Sequence, residues 1–210
     1  MQKLIPTPSL ERLCSMFHLL EQLEENGAAT VSSTELGRQL GVNAYSVRKD
    51  ISYLGEIGNC RGGYAVSKLK NHVSEKLGLN TGRSVCIVGL GRLGTAILHY
   101  ERLAVSGLTI VAGFDSNINK LETIRTNIPL YPAHEITTIV KRGGIELAVL
   151  SVPAQAAAET AKRLIDGGIR GIVNFSPAVL SPAPGVFIRN IDLVAEFRIV
   201  SVLSLLNIKN

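Results

Sequence analysis

The chain has 210 residues, 46% of them apolar, with 20 glycines and a net charge of +5. That is enough chain for one or two domains with a real core, and the apolar and glycine content suits an α/β protein. No run approaches the roughly 18 consecutive apolar residues of a membrane span, and residues 1–6 lack a signal-peptide core, so a cytoplasmic protein is expected.

In chain order, Thr7-Pro8 opens a helix, proline being tolerated in the first turn. Leu10, Leu13, Phe17, Leu20 and Leu23 recur at helical spacing, and Asn26-Gly27 ends the run. Ser32-x-x-Glu35 is a capping-box pattern that opens a short helix through Leu40. Gly41-Val42 turns the chain, and Asn43 caps a third helix over residues 44–54. Val47, Ile51 and Leu54 share its apolar face, so Arg48, Lys49 and Ser52 point elsewhere. Helix, short turn and helix with a basic outer face is a helix-turn-helix pattern, with Arg48 suited to guanine and Lys49 to phosphate. Asn59-Cys60-Arg61-Gly62-Gly63-Tyr64-Ala65-Val66 reads as a hairpin, the wing of a winged helix. Charge agrees: residues 1–37 hold two Lys/Arg against five Asp/Glu, whereas residues 38–70 hold six against two. A small helical oligomerisation domain with a solvated basic face fits the same spacing.

Gly78-Leu79-Asn80-Thr81-Gly82 marks a boundary, dividing a DNA-binding domain (residues 1–80) from a nucleotide-binding domain (residues 81–190). The second domain opens with the apolar strand Ser84-Val85-Cys86-Ile87-Val88, which runs into Gly89-Leu90-Gly91-Arg92-Leu93-Gly94. In this Gly-x-Gly-x-x-Gly spacing Gly89 permits the tight turn, Gly91 lets backbone approach a pyrophosphate, and Gly94 lets a helix pack on the strand. A second β-rich run over residues 108–114 ends in Asp115, 21 residues after Gly94. A carboxylate there bonds ribose hydroxyls and repels a 2′-phosphate, so NAD(H) is expected over NADP(H). The alternation continues with a helix over 94–103, a short strand near 129–131 and a helix over 134–141. Strand 146–152, helix 154–165 and strands 171–174 and 186–190 complete a mostly parallel Rossmann sheet. Residues 191–210 end the chain in a helix whose apolar positions occupy more than one face, and a dimer partner is the natural cover.

Catalytic chemistry is hard to find. Tyr64-x-x-x-Lys68 has the spacing of a short-chain dehydrogenase pair but precedes the nucleotide fold, and His72, His99 and His134 have no evident carboxylate partner. Cys14, Cys60 and Cys86 are scattered, which argues against disulfides and against a metal site; Cys60, beside Arg61, is the one candidate redox thiol. The rival readings are a small NAD-dependent oxidoreductase with an N-terminal assembly domain and a winged-helix regulator whose Rossmann half binds another nucleotide or none; an enzyme is not expected.

Seven runs stand out: Ser46-Val47-Arg48-Lys49-Asp50-Ile51-Ser52-Tyr53-Leu54-Gly55, Gly63-Tyr64, the glycine-rich run, Phe114-Asp115, Ser151-Val152-Pro153-Ala154, Asn174-Phe175-Ser176-Pro177 and Asn190-Ile191-Asp192. Together they resemble the Rex family of redox-sensing transcriptional repressors. The resemblance implies a homodimeric repressor that binds a palindromic operator with NAD⁺ and leaves it with NADH. It implies that the C-terminal helix is swapped between subunits. It assigns DNA contact to Ser46, Arg48, Lys49, Ser52, Tyr53, Arg61, Gly63 and Tyr64. It assigns NAD(H) to Gly89, Leu90, Gly91, Arg92, Leu93, Gly94, Asp115, Ser151, Val152 and Pro153. The switch is placed at Tyr100, near the nicotinamide, and at Asp192, which pairs with an Arg of the first helix. In this sequence His18 stands where that Arg is expected, and Leu193 where an aromatic is usual. An imidazole pairs strongly with Asp192 only when protonated.

Overall fold

The structure, a computed structural model, describes residues 5–57 and 62–206 and forms two units, Met1–Thr81 and Gly82–Asn210. The first unit is built on α1 (Thr7–Glu25), which has Pro8 in its first turn and buries Leu13, Met16 and Leu20 while Leu10 stays outside. α2 (Ser33–Gln39) adds Leu36, and α3 (Ala44–Ser52) adds Val47 and Ile51 to the same core. Each such side chain contributes about 1.5–3 kcal/mol by leaving water.

Two features of this unit differ from the sequence reading. β1 (Thr30–Val31) pairs antiparallel with β2 (Tyr64–Ala65), Thr30 opposite Ala65 and Val31 opposite Tyr64. The chain then passes directly from β2 into α4 (Val66–Leu77), a helix the sequence reading did not include. Val66, Leu69 and Val73 repeat at helical spacing along its buried face, and Gly78 ends it in the left-handed region. Cys60, Arg61 and the first arm of the expected wing hairpin lie outside the described residues.

The second unit is a six-stranded parallel sheet. Its strands are β3 (Arg83–Val88), β4 (Leu108–Asp115), β5 (Leu130–Pro132), β6 (Leu147–Leu150), β7 (Gly171–Asn174) and β8 (Phe187–Asn190). They lie in the order β5-β4-β3-β6-β7-β8, the doubly wound dinucleotide order, whose direction reverses between β3 and β6. Alternate residues of β3 serve opposite faces. Cys86 and Val88 pack with α8 (Ile136–Gly143) and α9 (Ala154–Gly167), whereas Val85 and Ile87 pack with Leu98 of α5 (Arg92–Leu98). Burial on both faces makes this strand a continuous apolar run in the sequence.

The helix expected over residues 94–103 is two helices, α5 and α6 (Arg102–Val105). The His99 ring bonds the Thr95 carbonyl at 2.9 Å, taking the acceptor that a continuing helix would give to the His99 N–H. A further short helix, α7 (Ile118–Thr123), starts where Asn117 Oδ1 accepts the Asn119 N–H at 3.0 Å. The chain closes with α10 (Leu193–Leu206), none of whose described residues is buried. No described helix is long and apolar enough to cross a membrane.

Candidate functional site

The basic face of the first unit is set by caps and one ion pair. Ser32 and Glu35 form the reciprocal capping box of α2, and bonds from the Ser32 N–H and hydroxyl lower the Glu35 pKa. Asn43 Oδ1 accepts the Ser46 N–H at 2.8 Å and starts α3. On α3, Val47 and Ile51 point inward and Arg48, Lys49 and Ser52 outward. The Ser52 hydroxyl donates to the Lys49 carbonyl at 2.7 Å, and Tyr53, half-buried, caps the helix.

Asp50 is the residue the sequence did not single out. It is 1% exposed and takes Arg12 Nε at 2.6 Å and Nη2 at 2.8 Å, a two-pronged pair that pins α3 to α1. That bond raises the Arg12 pKa. The acidic side chain of α3 is thereby neutralised inside, and the helix turns its cations outward. Arg48 reaches the Ser33 hydroxyl at 2.9 Å, which holds its guanidinium beside the α2 N-terminus. Tyr45, 68% exposed in the first turn of α3, joins this face. Gly63 has φ +110°, and a Cβ there would come within 2.9 Å of the Val31 carbonyl oxygen, so the strand following the wing needs glycine.

At the carboxyl ends of the second unit's strands lies a cavity of about 700 Å³. Its floor is the glycine-rich turn. Gly89, at φ +90°, packs on Ser151, whose hydroxyl donates to the Gly89 carbonyl at 2.8 Å. A Cβ on Gly94 would overlap the Gly89 carbonyl oxygen, whereas a Cβ on Gly91 would meet nothing within 4 Å. The backbone at Gly91 therefore faces open space in the cavity, beside Arg92 and Leu93 of the first helical turn. The first N–H groups of a helix have no intrahelical partner and are free for an anionic ligand. Leu90 behaves differently: its side chain is buried, and its N–H donates to Asp115 Oδ2 at 2.7 Å.

Asp115 is 5% exposed and already engaged. Oδ1 accepts the Asn117 N–H at 2.8 Å, and Lys120 Nζ lies 3.1 Å from Oδ2. The carboxylate thus braces the glycine turn as well as lining the cavity. Ser116, Asn117 and Lys120 line the same end, while Val152, Pro153, Phe175 and Pro177 are also part of the wall. Lys120, Phe175 and Pro177 were missing from the sequence-assigned site.

Residues 4–52 match the family model described as putative DNA-binding protein N-terminus, and residues 80–178 match the CoA binding domain model. The chain is 36% identical over 194 residues to the redox-sensing transcriptional repressor Rex of Listeria monocytogenes, covering 92% of this chain and 90% of that one. It is 39% identical over 190 residues to the protein of the same name from a Roseiflexus species, covering 90% and 86%. The chain belongs to the Rex family. The structure of RSP in complex with β-NAD⁺ and operator DNA aligns at TM-score 0.87 and 30% identity, covering 95% of this Rex chain and 92% of that one. RSP in complex with β-NADH aligns at 0.86 and 30% identity, covering 95% and 93%.

The residues assigned to the Rex switch sit as follows. His18, on α1, lies 3.5 Å from Glu21 Oε2 and 3.2 Å from Gln22 Nε2. Tyr100, half-exposed, follows α5 and lines a smaller cleft with Leu98, Ala104 and Ile128 rather than the main cavity. Asp192 Oδ1 accepts the Val194 N–H at 2.9 Å and so caps α10, with Leu193 exposed beside it. Cys86 is buried in β3, and burial pushes its thiol up to about 12, which makes it inert. Lys68 lies on α4 of the first unit, whereas the cavity belongs wholly to the second.

Proposed function

We propose that this Rex chain is a cytoplasmic repressor, acting as a homodimer, that binds a palindromic operator with NAD⁺ and is released by NADH. The observation that carries the reading is the alignment, over 95% of the chain, with a Rex-family repressor solved both with NADH and with NAD⁺ plus operator DNA. Its relatives are repressors and this chain is not an enzyme; the oxidoreductase alternative is set aside.

The residues fit a dinucleotide. Gly91 leaves room for a pyrophosphate that any side chain would fill, and Arg92 stands next to it with a compensating charge. Asp115 has a lone pair left on Oδ1 for a ribose hydroxyl, while its ion pair with Lys120 softens the repulsion expected toward a 2′-phosphate. Phe175, Pro153 and Val152 give an apolar end suited to a nicotinamide. NAD(H) supplies the redox signal when bound, and the residues named here hold and orient it.

On the first unit, Arg48 reads a guanine edge from α3, Lys49 and Tyr45 meet the backbone, and Ser46, Ser52, Tyr53 and the Gly63-Tyr64 end of the wing flank them. Dimerisation uses α10, whose apolar side chains are left uncovered by the described residues. The test is selection of duplexes from a random pool with NAD⁺ present. A two-fold symmetric site, lost on adding NADH, supports the reading; an asymmetric or sequence-independent pool contradicts it.

A further inference from the structure

Asn174, at the end of β7, is fully buried, and every hydrogen-bonding group of its amide is spent. Nδ2 donates to the Ala178 carbonyl at 2.7 Å and to Asn190 Oδ1 at 2.8 Å. Oδ1 accepts the Ser176 N–H at 3.0 Å and the Ser176 hydroxyl at 2.7 Å. Asn190, at the end of β8 and more exposed, makes three such bonds. Its Oδ1 also accepts the Leu180 N–H at 3.0 Å, and its Nδ2 donates to the Leu180 carbonyl at 3.1 Å. The main chains join at the same point, the Ile191 N–H donating to the Asn174 carbonyl at 2.8 Å.

What these two amides connect is unusual. The loop folded around Asn174 carries Phe175 and Pro177 into the wall of the dinucleotide cavity. On the other side, two residues after Asn190, Asp192 caps α10. α10 exposes Phe197, Val200 and Leu203 among its apolar residues, and in the reading above it is the surface for a second copy. Sliding Asn190 against Asn174 would strip partners from a buried amide at once, so these bonds tie the cavity loop to the root of α10.

We propose that the Asn174–Asn190 amide pair is a latch transmitting occupancy of the cavity to α10, with Asn190 a positioning residue for the NADH response. A ligand that displaces Phe175 or Pro177 pulls Asn174, hence Asn190 and the helix cap at Asp192. The proposal rests on the reading above that NADH in this cavity lowers operator affinity. Coupling of this kind requires one element with two arrangements that both sites bias, and the latch assigns that part to α10, rooted at residues 190–192.

The test uses the full chain with Asn190→Ala. NADH affinity is read by fluorescence titration, and operator affinity by anisotropy with saturating NAD⁺ and with saturating NADH. The latch predicts NADH binding within about threefold of wild type, while the NADH-to-NAD⁺ ratio of operator dissociation constants falls about tenfold toward one. Asn190→Asp keeps the acceptor for Asn174 and Leu180 but loses the donor to Leu180, so its ratio falls between the two, and it serves if the Ala variant fails to fold. A variant that keeps the wild-type ratio overturns the latch, as does parallel loss of ligand and operator binding. A wild type indifferent to NADH overturns the functional reading itself, and the latch with it.

Discussion

Gly91 and Gly94 stand three residues apart and respond oppositely to a methyl group. At Gly91 a Cβ meets only open cavity, so Gly91→Ala keeps the fold and weakens NAD(H) by about tenfold or more, the pyrophosphate having lost its seat. At Gly94 the Cβ strikes the Gly89 carbonyl and comes within 2.8 Å of Ser151 Oγ, so Gly94→Ala costs about 3 kcal/mol of stability. Calorimetry for the first and thermal melting for the second check the pair. Arg12→Ala strands Asp50 as a buried carboxylate. Full burial of both ions would cost about 3–5 kcal/mol, and because Arg12 is itself 29% exposed the expected loss is nearer about 2–3 kcal/mol in urea unfolding. His99 titrates. Its two ring nitrogens face the Thr95 and Arg125 carbonyls, an arrangement only the protonated ring satisfies, so its folded pKa is raised above 6.5. Its contribution is therefore complete below the unfolded value and lost as pH rises through the folded one. His99→Gln should lower the melting temperature more at about pH 5.5 than at about pH 8.5. An equal or reversed difference contradicts that assignment.

At the scale of elements, helices that announce themselves by a cap were legible in the sequence. The Ser32–Glu35 box, Asn43 and the leucine spacing of α1 placed three helices of the first unit. α4 carries an apolar repeat but no side-chain cap, and it begins at the end of a two-residue strand, so nothing local marks its start. That strand pairs with Thr30–Val31, 33 or more residues away, too short and too distant for any local pattern to reveal. The cavity was half legible. Its glycine turn and Asp115 obey spacing rules, but Lys120 reaches Asp115 from α7, a helix of only six residues. Phe175 and Pro177 reach the cavity only because β7 lies beside β6. α10 was read from its all-round apolar character, and the described residues leave it uncovered. If the proposed dimer forms through α10, replacing Phe197 and Leu203 together by Glu weakens it by about 100-fold or more, measured by sedimentation, with α10 still helical. An unchanged dimer would place the subunit contact elsewhere.

For the whole molecule, the two units bring complementary halves of one function: a basic helix held by a half-buried ion pair, and a dinucleotide cavity whose wall is tied to a helix the described residues leave uncovered. NADH can lower operator affinity only by favouring the DNA-free arrangement, and only by as much as it binds that arrangement better. His18 and Leu193 stand where the Rex pattern implies an Arg and an aromatic, so the latch proposed above would assign more of the response to the cavity loop and the root of α10. The direct measurement is operator affinity of the full chain at saturating NAD⁺ and at saturating NADH, on the same selected duplex and at one salt concentration. The account predicts binding weaker with NADH by about tenfold or more. Equal affinities in the two cofactor states would contradict it.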